Sequence, residues 1–375
     1  MSGVSTKQGD GFIRAFDPFR DLERVVDLID VAFGDGLDPA GRATLARMRR
    51  LARRGPLLQW GWALLGRATV APGLVWVEDG RLVGNVSLRR ARKRGAYLIG
   101  NVVVHPEWRG QGVASALMEA AIDRLSRRGA HWVGLEVRDD NGVARRLYEG
   151  FGFREVGRTL HMLRPAGMVW EEHPSASNVV RRGRGRDGDA LVGLMREVVP
   201  KDHRALLEME EGDYRAGWDR ALERWLQGER EVWWVAEADR GLCGAVRAVR
   251  KGRSFPNQLE ILVSCEEGRF EAPLVRRGLA SLHGSPKKPV EVSLPAPTKR
   301  LVGALEEEGF EETRVLVQMK RDLRVRVPVT TKGWKRRTGP LEPRGPVAKE
   351  RRRGIALIES ATTLDLYGTA GWRAS

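Results

Sequence analysis

The 375-residue sequence predicts an α/β protein of two related domains in tandem, each a mixed, mostly antiparallel sheet flanked by helices. Two observations predict it. Strand-like and helix-like apolar spacings follow one another in an order that runs once to about residue 165 and restarts near residue 179. A helix-end signature also recurs: Tyr148-Glu149-Gly150-Phe151-Gly152-Phe153 is echoed by Leu305-Glu306-Glu307-Glu308-Gly309-Phe310, with Gly309 placed 157 positions after Gly152. A glycine after a helix suits a left-handed C-cap, and the aromatic that follows can start a strand into the core.

In the first block Phe12 to Phe16 is strand-like, and Leu22, Val25, Val26, Leu28, Ile29 and Phe33 fall at helical spacing. A second helix is expected at Ala40 to Ala52. Leu74 to Val77 and Leu82 to Leu88 read as a hairpin about Asp79-Gly80. Strand Tyr97 to Val104, helix Gly112 to Arg128, strand Trp132 to Val137, helix Val143 to Gly150 and strand Arg154 to Met162 complete the order βααβββαβαβ. The second block repeats it with strand Val179-Val180, helices Asp189 to Val198 and Tyr214 to Leu226, and a hairpin Val232 to Val249. Leu259 to Ser264, Leu274 to Leu282, Val290 to Leu294, Lys299 to Glu308 and Thr313 to Met319 then read as strand, helix, strand, helix, strand.

With 42% hydrophobic and 30% charged residues the composition is that of a water-soluble globular protein. Cys243 and Cys265 are the only cysteines. They form no C-x-x-C pair and have no His cluster beside them, which argues against a disulfide framework or zinc site and for a reducing cytoplasm. Residues 1–10 are polar, read as a flexible start, and carry no secretory signal. The apolar run Pro56 to Val77 is broken by Gln59, Arg67 and Pro72, so a buried helix followed by a strand is expected and stable membrane insertion is not. Of the net charge of +16, a net +8 lies in Arg321 to Ser375, with 13 Lys/Arg against 5 Asp/Glu. Such a tail suits contact with the ribosome or nucleic acid, and equally serves solubility. The expected division is 11–165 and 179–321 for the domains, 166–178 for the linker and 322–375 for the basic tail.

The chemistry concentrates where Val102-Val103-Val104-His105-Pro106-Glu107-Trp108-Arg109-Gly110-Gln111-Gly112-Val113-Ala114 passes from strand through a glycine turn into a helix. The free amides at a helix start bind phosphate, Gly110 and Gly112 let a pyrophosphate approach the backbone, and Arg109 can add a charge. A Gly-x-Gly turn alone also occurs without any ligand. A dinucleotide-binding site fits poorly, because the third glycine is missing and hairpins precede the turn.

Arg109-Gly110-Gln111-Gly112-Val113-Ala114 resembles the acyl-CoA signature R/Q-x-x-G-x-G/A of the GNAT superfamily of acetyl-CoA-dependent N-acetyltransferases. Leu135-Glu136-Val137-Arg138, Asn141, Ala144, Leu147-Tyr148 and Phe151-Gly152-Phe153 are similar to its ribosomal-protein alanine N-acetyltransferase branch. The likeness spans Asn101 to Phe153 and, more weakly, Phe12 to Pro165. It implies a tandem GNAT protein that moves acetyl from acetyl-CoA directly to a primary amine, on a protein N-terminus or a small molecule, without a metal. Amides of Gln111, Gly112, Val113 and Ala114 would hold the pyrophosphate, and Val102, Val103 and Val104 would flank the pantetheine arm, an amide at Val104 polarising the thioester carbonyl. Glu136 would relay the proton from the substrate ammonium, and Tyr148 would protonate the departing thiolate. Asn141 would contact the cofactor or cap the helix, and a solvated Glu136 and a core Tyr148 are the plain readings beside these roles.

An offset of 157 sets Glu266-Glu267-Gly268-Arg269 against Arg109-Gly110-Gln111-Gly112, Leu305 against Tyr148 and Thr298 against Asn141. Acidic groups where phosphates should approach, and no phenol, make the second domain a degenerate, non-catalytic copy. A non-enzymatic acyl-CoA-binding regulator would keep the turn without needing Glu136 and Tyr148.

Overall fold

The computed structural model describes residues 11–33, 45, 46, 49, 73–168, 180–215, 229–239, 241–252, 256–264, 269–282 and 288–323. The expected helix at 40–52 (apart from 45, 46 and 49), the flexible start, 56–72, most of the linker, 216–226, the acidic run 266–268 and the tail beyond 323 lie outside these residues. The described residues form two compact units, one drawing on residues up to 90, 95–154 and 321–323, the other on 91–94 and 155–320.

The first unit carries strands β1 (Phe12–Ala15), β2 (Leu74–Glu78), β3 (Arg81–Arg90), β4 (Ala96–Val104) and β5 (Trp132–Arg138) in that spatial order. Neighbours are antiparallel except β4 and β5, which are parallel. Asp79 and Gly80 both take positive φ, 49° and 73°, as a two-residue turn matched to the strand twist requires. Helix α1 (Pro18–Phe33) buries Val25, Val26, Leu28 and Ile29 against Val75, Val77, Leu82 and Val103. Each is worth about 1.5–3 kcal/mol of burial. Helix α2 (Val113–Arg127) comes so near β3 that a Cβ on Gly84 would lie 2.9 Å from both Leu117 and Val113. A third helix, α3 (Gly142–Gly150), follows β5.

The second unit repeats the scheme. Its sheet includes, in spatial order, β7 (Val180–Arg182), β8 (Arg230–Ala238), β9 (Gly241–Arg250), β10 (Asn257–Val263), β11 (Val290–Leu294) and β6 (Arg154–Arg164); β12 (Glu311–Asp322) closes the chain's run of strands. Only β10 and β11 among the registered pairs of this unit are parallel, as β4 and β5 are in the first. Strand β6 ends the first block in sequence, yet it pairs within the second unit, from Leu160↔Leu294 to Arg164↔Val290. Helices α4 (Gly188–Val198), α6 (Glu271–Leu282) and α7 (Lys299–Glu307) were expected, whereas the short α5 (Lys201–Leu206) has no periodicity to announce it. It carries His203, buried with its Nε2 3.2 Å from Thr159 Oγ1 and 3.0 Å from Gln318 Oε1.

The duplication is visible at both ends of the units. In α3 the Asn141 side chain accepts Ala144 N–H at 3.0 Å, and in α7 Thr298 accepts Leu301 N–H at 3.2 Å. Gly152 and Gly309, at φ 79° and 81°, end these helices with the same pair of bonds: Phe153 N–H to Tyr148 O and Gly152 N–H to Glu149 O, Phe310 N–H to Leu305 O and Gly309 N–H to Glu306 O. At the other end Arg14 of β1 grips Asp21 with both guanidinium nitrogens (2.5 and 2.7 Å), as Arg181 of β7 grips Asp187 (2.8 and 2.9 Å). Each carboxylate also takes one backbone N–H, from Asp17 or Arg184. These two clasps join strands to the starts of the following helices.

One expectation needs correction. Cys243 is disulfide-bonded. The end of β10 lies against it, with Ser264 N–H donating to the Cys243 carbonyl at 2.9 Å, and sequence spacing alone does not show this proximity. The cysteine argument for a reducing compartment therefore falls away.

The Asp187 clasp makes stability depend on pH. Hydrogen bonding from Arg181 outweighs burial and holds the Asp187 carboxyl at about 2, below its ordinary 3.8. Its stabilisation is complete above the unfolded value and is lost as pH falls from about 4 toward 2. Denaturant titrations at stepped pH should show this loss, and Asp187→Asn should make the acid fall shallower; an equal fall in both proteins would remove the clasp from the account.

Candidate active site

Strands β4 and β5 pair in parallel from Ala96↔Trp132 only as far as Ile99↔Leu135, and no paired register continues beyond. Strand β4 bulges at this point. Asn85↔Val103 and Ser87↔Gly100 enclose one residue on β3 but two, Asn101 and Val102, on β4. Asn101 takes φ +48°, a left-handed conformation that asparagine tolerates better than most residues. Val102, Val103 and Val104, the expected cofactor strand, follow at once with buried side chains.

Past Val104, His105 N–H bonds Val83 O at 2.8 Å and a 3-10 turn, Pro106–Trp108, leads to Arg109. Gly110 and Gly112 both take positive φ, 76° and 85°, and a Cβ on either would meet nothing within 4 Å. The glycines are thus needed for backbone direction and leave open space beside the turn. Gly112, the N-cap of α2, has no side chain with which to bond the amides of the first turn. Gln111 bends back, its Nε2 donating to Glu107 O at 2.8 Å.

Arg109 is engaged with the backbone around the turn. Its Nε donates to Val104 O and its Nη2 to Ala32 O, both at 3.2 Å, and burial holds the guanidinium below its ordinary pKa. It ties the end of β4 and the end of α1 to the turn. Among the expected site residues this brings Val104 and Arg109 into direct contact.

Glu136 is the first residue of β5 beyond the paired register, half-buried between buried Leu135 and Val137. Asn141 acts as the helix cap of its plain reading. Tyr148, wholly buried in α3, lies edge-on to Phe153 with ring centroids 6.2 Å apart. A polar residue that the sequence reading missed completes the region: Asn85, 1% exposed, donates Nδ2 to Asn101 O at 2.9 Å. The signal available was an asparagine inside an apolar strand.

The second unit differs at the corresponding helix. Glu271, in the first turn of α6 and 4% exposed, accepts the Phe270 N–H through Oε2 at 3.2 Å, so this helix start is met by the chain's own carboxylate. Leu305 is buried where the repeat has Tyr148. Among the described residues no cluster of His, Cys, Asp or Glu is disposed to hold a metal, and no helix is long and apolar enough to cross a membrane.

Residues 45–153, which hold the glycine turn between β4 and α2, match the Acetyltransferase (GNAT) family. Within that family the segment is similar to [Ribosomal protein bS18]-alanine N-acetyltransferase of Escherichia coli (strain K12), 46% identical over 56 residues, or 15% of this chain and 38% of the relative. N-alpha-acetyltransferase 30 of Schizosaccharomyces pombe is 35% identical over 82 residues, or 21% of this chain and 55% of the relative. The chain thus spans less than two thirds of either relative. A GCN5-related N-acetyltransferase from Sphaerobacter thermophilus shares the fold across both units, at TM-score 0.53 and 18% identity, over 84% of this chain and 96% of that one.

The glycine turn supports a direct test. Gly112→Ala keeps clear of neighbours but strains the left-handed backbone, and should destabilise the protein by about 1 kcal/mol. Gly112→Glu adds a charge at the helix start and should abolish calorimetric binding of acetyl-CoA, whose wild-type stoichiometry should be one per chain. Two sites, or unchanged binding by Gly112→Glu, would place the cofactor elsewhere.

Proposed function

We propose that the first domain, 11–165, is an acetyl-CoA-dependent N-acetyltransferase and that 179–321 is its degenerate, non-catalytic copy. The observation that carries this reading is the uncapped start of α2 behind two left-handed glycines, one short turn from the point where β4 leaves β5. Open space beside Gly110 and Gly112 fits a pyrophosphate, with amides from Gln111 to Ala114 as donors. The edge of β4 at Val102, Val103 and Val104 suits an extended pantetheine arm, which pairs as a strand would. Arg109 serves by bracing the turn.

In this reading the amine nitrogen attacks the thioester carbon directly; the C–N bond forms, the C–S bond breaks, and CoA leaves as thiolate. Glu136, at the open end of β5, takes the ammonium proton through water, and Tyr148 of α3 supplies a proton to the sulfur. For the acceptor we favour a protein N-terminus, because one relative's name specifies an alanine of a ribosomal protein and the other an α-amino group. The basic tail, 322–375, suits a ribosomal or nucleic-acid setting.

Labelled acetyl-CoA with a cell lysate, followed by mass spectrometry, tests the acceptor: label on protein N-termini supports this reading, and label confined to small amines replaces it. Tyr148→Phe should slow turnover by about 10²-fold while acetyl-CoA still binds. Glu136→Gln should depress the rate most at low pH, where free amine is scarce, a profile that Tyr148→Phe should not share. Wild-type rates for both variants across pH would leave a non-catalytic acyl-CoA-binding regulator.

A further inference from the structure

At the end of the first unit's sheet remote from the glycine turn, three stretches of chain meet. His131, in the turn between α2 and β5, donates its N–H to Gly95 O at 2.7 Å, and its own carbonyl accepts the Leu323 N–H at 2.9 Å. Gly95, at φ 75°, passes so close that a Cβ there would lie 3.0 Å from the His131 ring. These bonds join the β3–β4 connection, the α2–β5 turn and the point where the chain leaves β12 for residues 324–375.

Each stretch brings positive charge. Arg90 ends β3 exposed to solvent and belongs to the run Arg89-Arg90-Ala91-Arg92-Lys93-Arg94. Arg124 and Arg127 lie in the last turn of α2, and Arg128 caps it. Residues 324–375 carry twelve Lys/Arg against four Asp/Glu. Arg127 pairs with Asp123 at 2.6 Å, whereas among the described residues Arg90, Arg124 and Arg128 have no carboxylate partner. Burial, with the charges of Arg128 and Arg127, holds the Arg124 guanidinium below its ordinary pKa, and Arg124 Nε is buried without a hydrogen bond. A helix C-terminus favours cations, which accounts for those of α2 but not for Arg90 or for the departure of a basic tail at His131.

We propose that this end of the first unit is a nucleic-acid docking face, with Arg90, Arg124 and Arg128 placed on backbone phosphates. The proposal rests on the nucleic-acid setting read from the tail and adds the folded surface from which the tail departs. Guanidinium groups match phosphate geometry, and a polyanion offers each of them its own charge. A folded protein partner fits less well, because its interface needs an apolar centre and none of the exposed large apolar side chains, such as Phe12, Phe19 and Val143, lies in 89–95 or 123–131. The face and the glycine turn lie at opposite ends of β4, so polymer and cofactor bind without competing.

The test follows the fluorescence anisotropy of a short labelled RNA duplex, and of a DNA duplex of the same sequence, against the full chain over a range of salt. At least one duplex should bind and weaken steeply as salt rises, the tighter of the two naming the polymer. Arg90→Gln with Arg128→Gln removes two exposed charges, so calorimetric acetyl-CoA binding should stay as in the wild type. The slope of log affinity against log salt should fall by about 0.9 for each arginine removed. An unchanged slope in this variant, with loss confined to a tail variant such as Arg336→Gln with Arg337→Gln, overturns the folded face and keeps the tail. Failure of the wild-type chain to bind either duplex overturns both and leaves the acetyltransferase reading standing. Equal affinity for polyglutamate overturns nucleic acid as the partner.

Discussion

A strand can hydrogen-bond two neighbours only while its backbone stays in register with both. Strand β4 keeps that double pairing with β3 and β5 through Ile99 and then gives it up, because Asn101 adds a residue that β3 does not match. Much of the site follows from this lapse. The edge from Val102 to Val104 is released from β5, Glu136 comes to stand just beyond the last pair, and the chain reaches the glycine turn beside the start of α2. The bulge loosens the sheet locally, and the buried Asn85 amide restores one of the hydrogen bonds it removes.

The two units show what a duplicated fold keeps and what it lets go. Caps, left-handed glycines, the parallel strand pair and the Arg–Asp clasps persist in both, since each satisfies buried or terminal polar groups that any copy of the fold must satisfy. The helix starts diverge. At α2 the cap is a glycine with no side chain, while at α6 the carboxylate of Glu271 in the first turn accepts the Phe270 N–H. A helix start that its own carboxylate already occupies has less to offer a phosphate.

The order of strands and helices was legible in the sequence because it rests on local periodicity and on glycines at helix ends, and Asp79-Gly80 carried its own turn signal. Legibility was lower where a side chain works through tertiary contact. Arg109 reads as a phosphate ligand from its neighbours, and only folding shows its guanidinium committed to Val104 and Ala32 carbonyls. Asn85, Arg14 and Arg181 are single polar residues in strands, and their partners lie at separations that no periodicity encodes. The bulge escaped for the same reason: an extra residue is defined only by comparison with the neighbouring strand.

Strand β6 also bears on how the chain assembles. Its partner β11 lies about 130 residues downstream, so joining them closes a long loop before any reward from the contact arrives. During synthesis from the N-terminus, β6 leaves the ribosome well ahead of both its sheet neighbours, β11 and β12, and must wait with both edges unmatched. Unpaired strand edges invite pairing with other chains, and β6 opens with the charged Arg154 and Glu155 and carries Arg158 three positions on. Charges at that end would repel a mistaken neighbour until the native one is made.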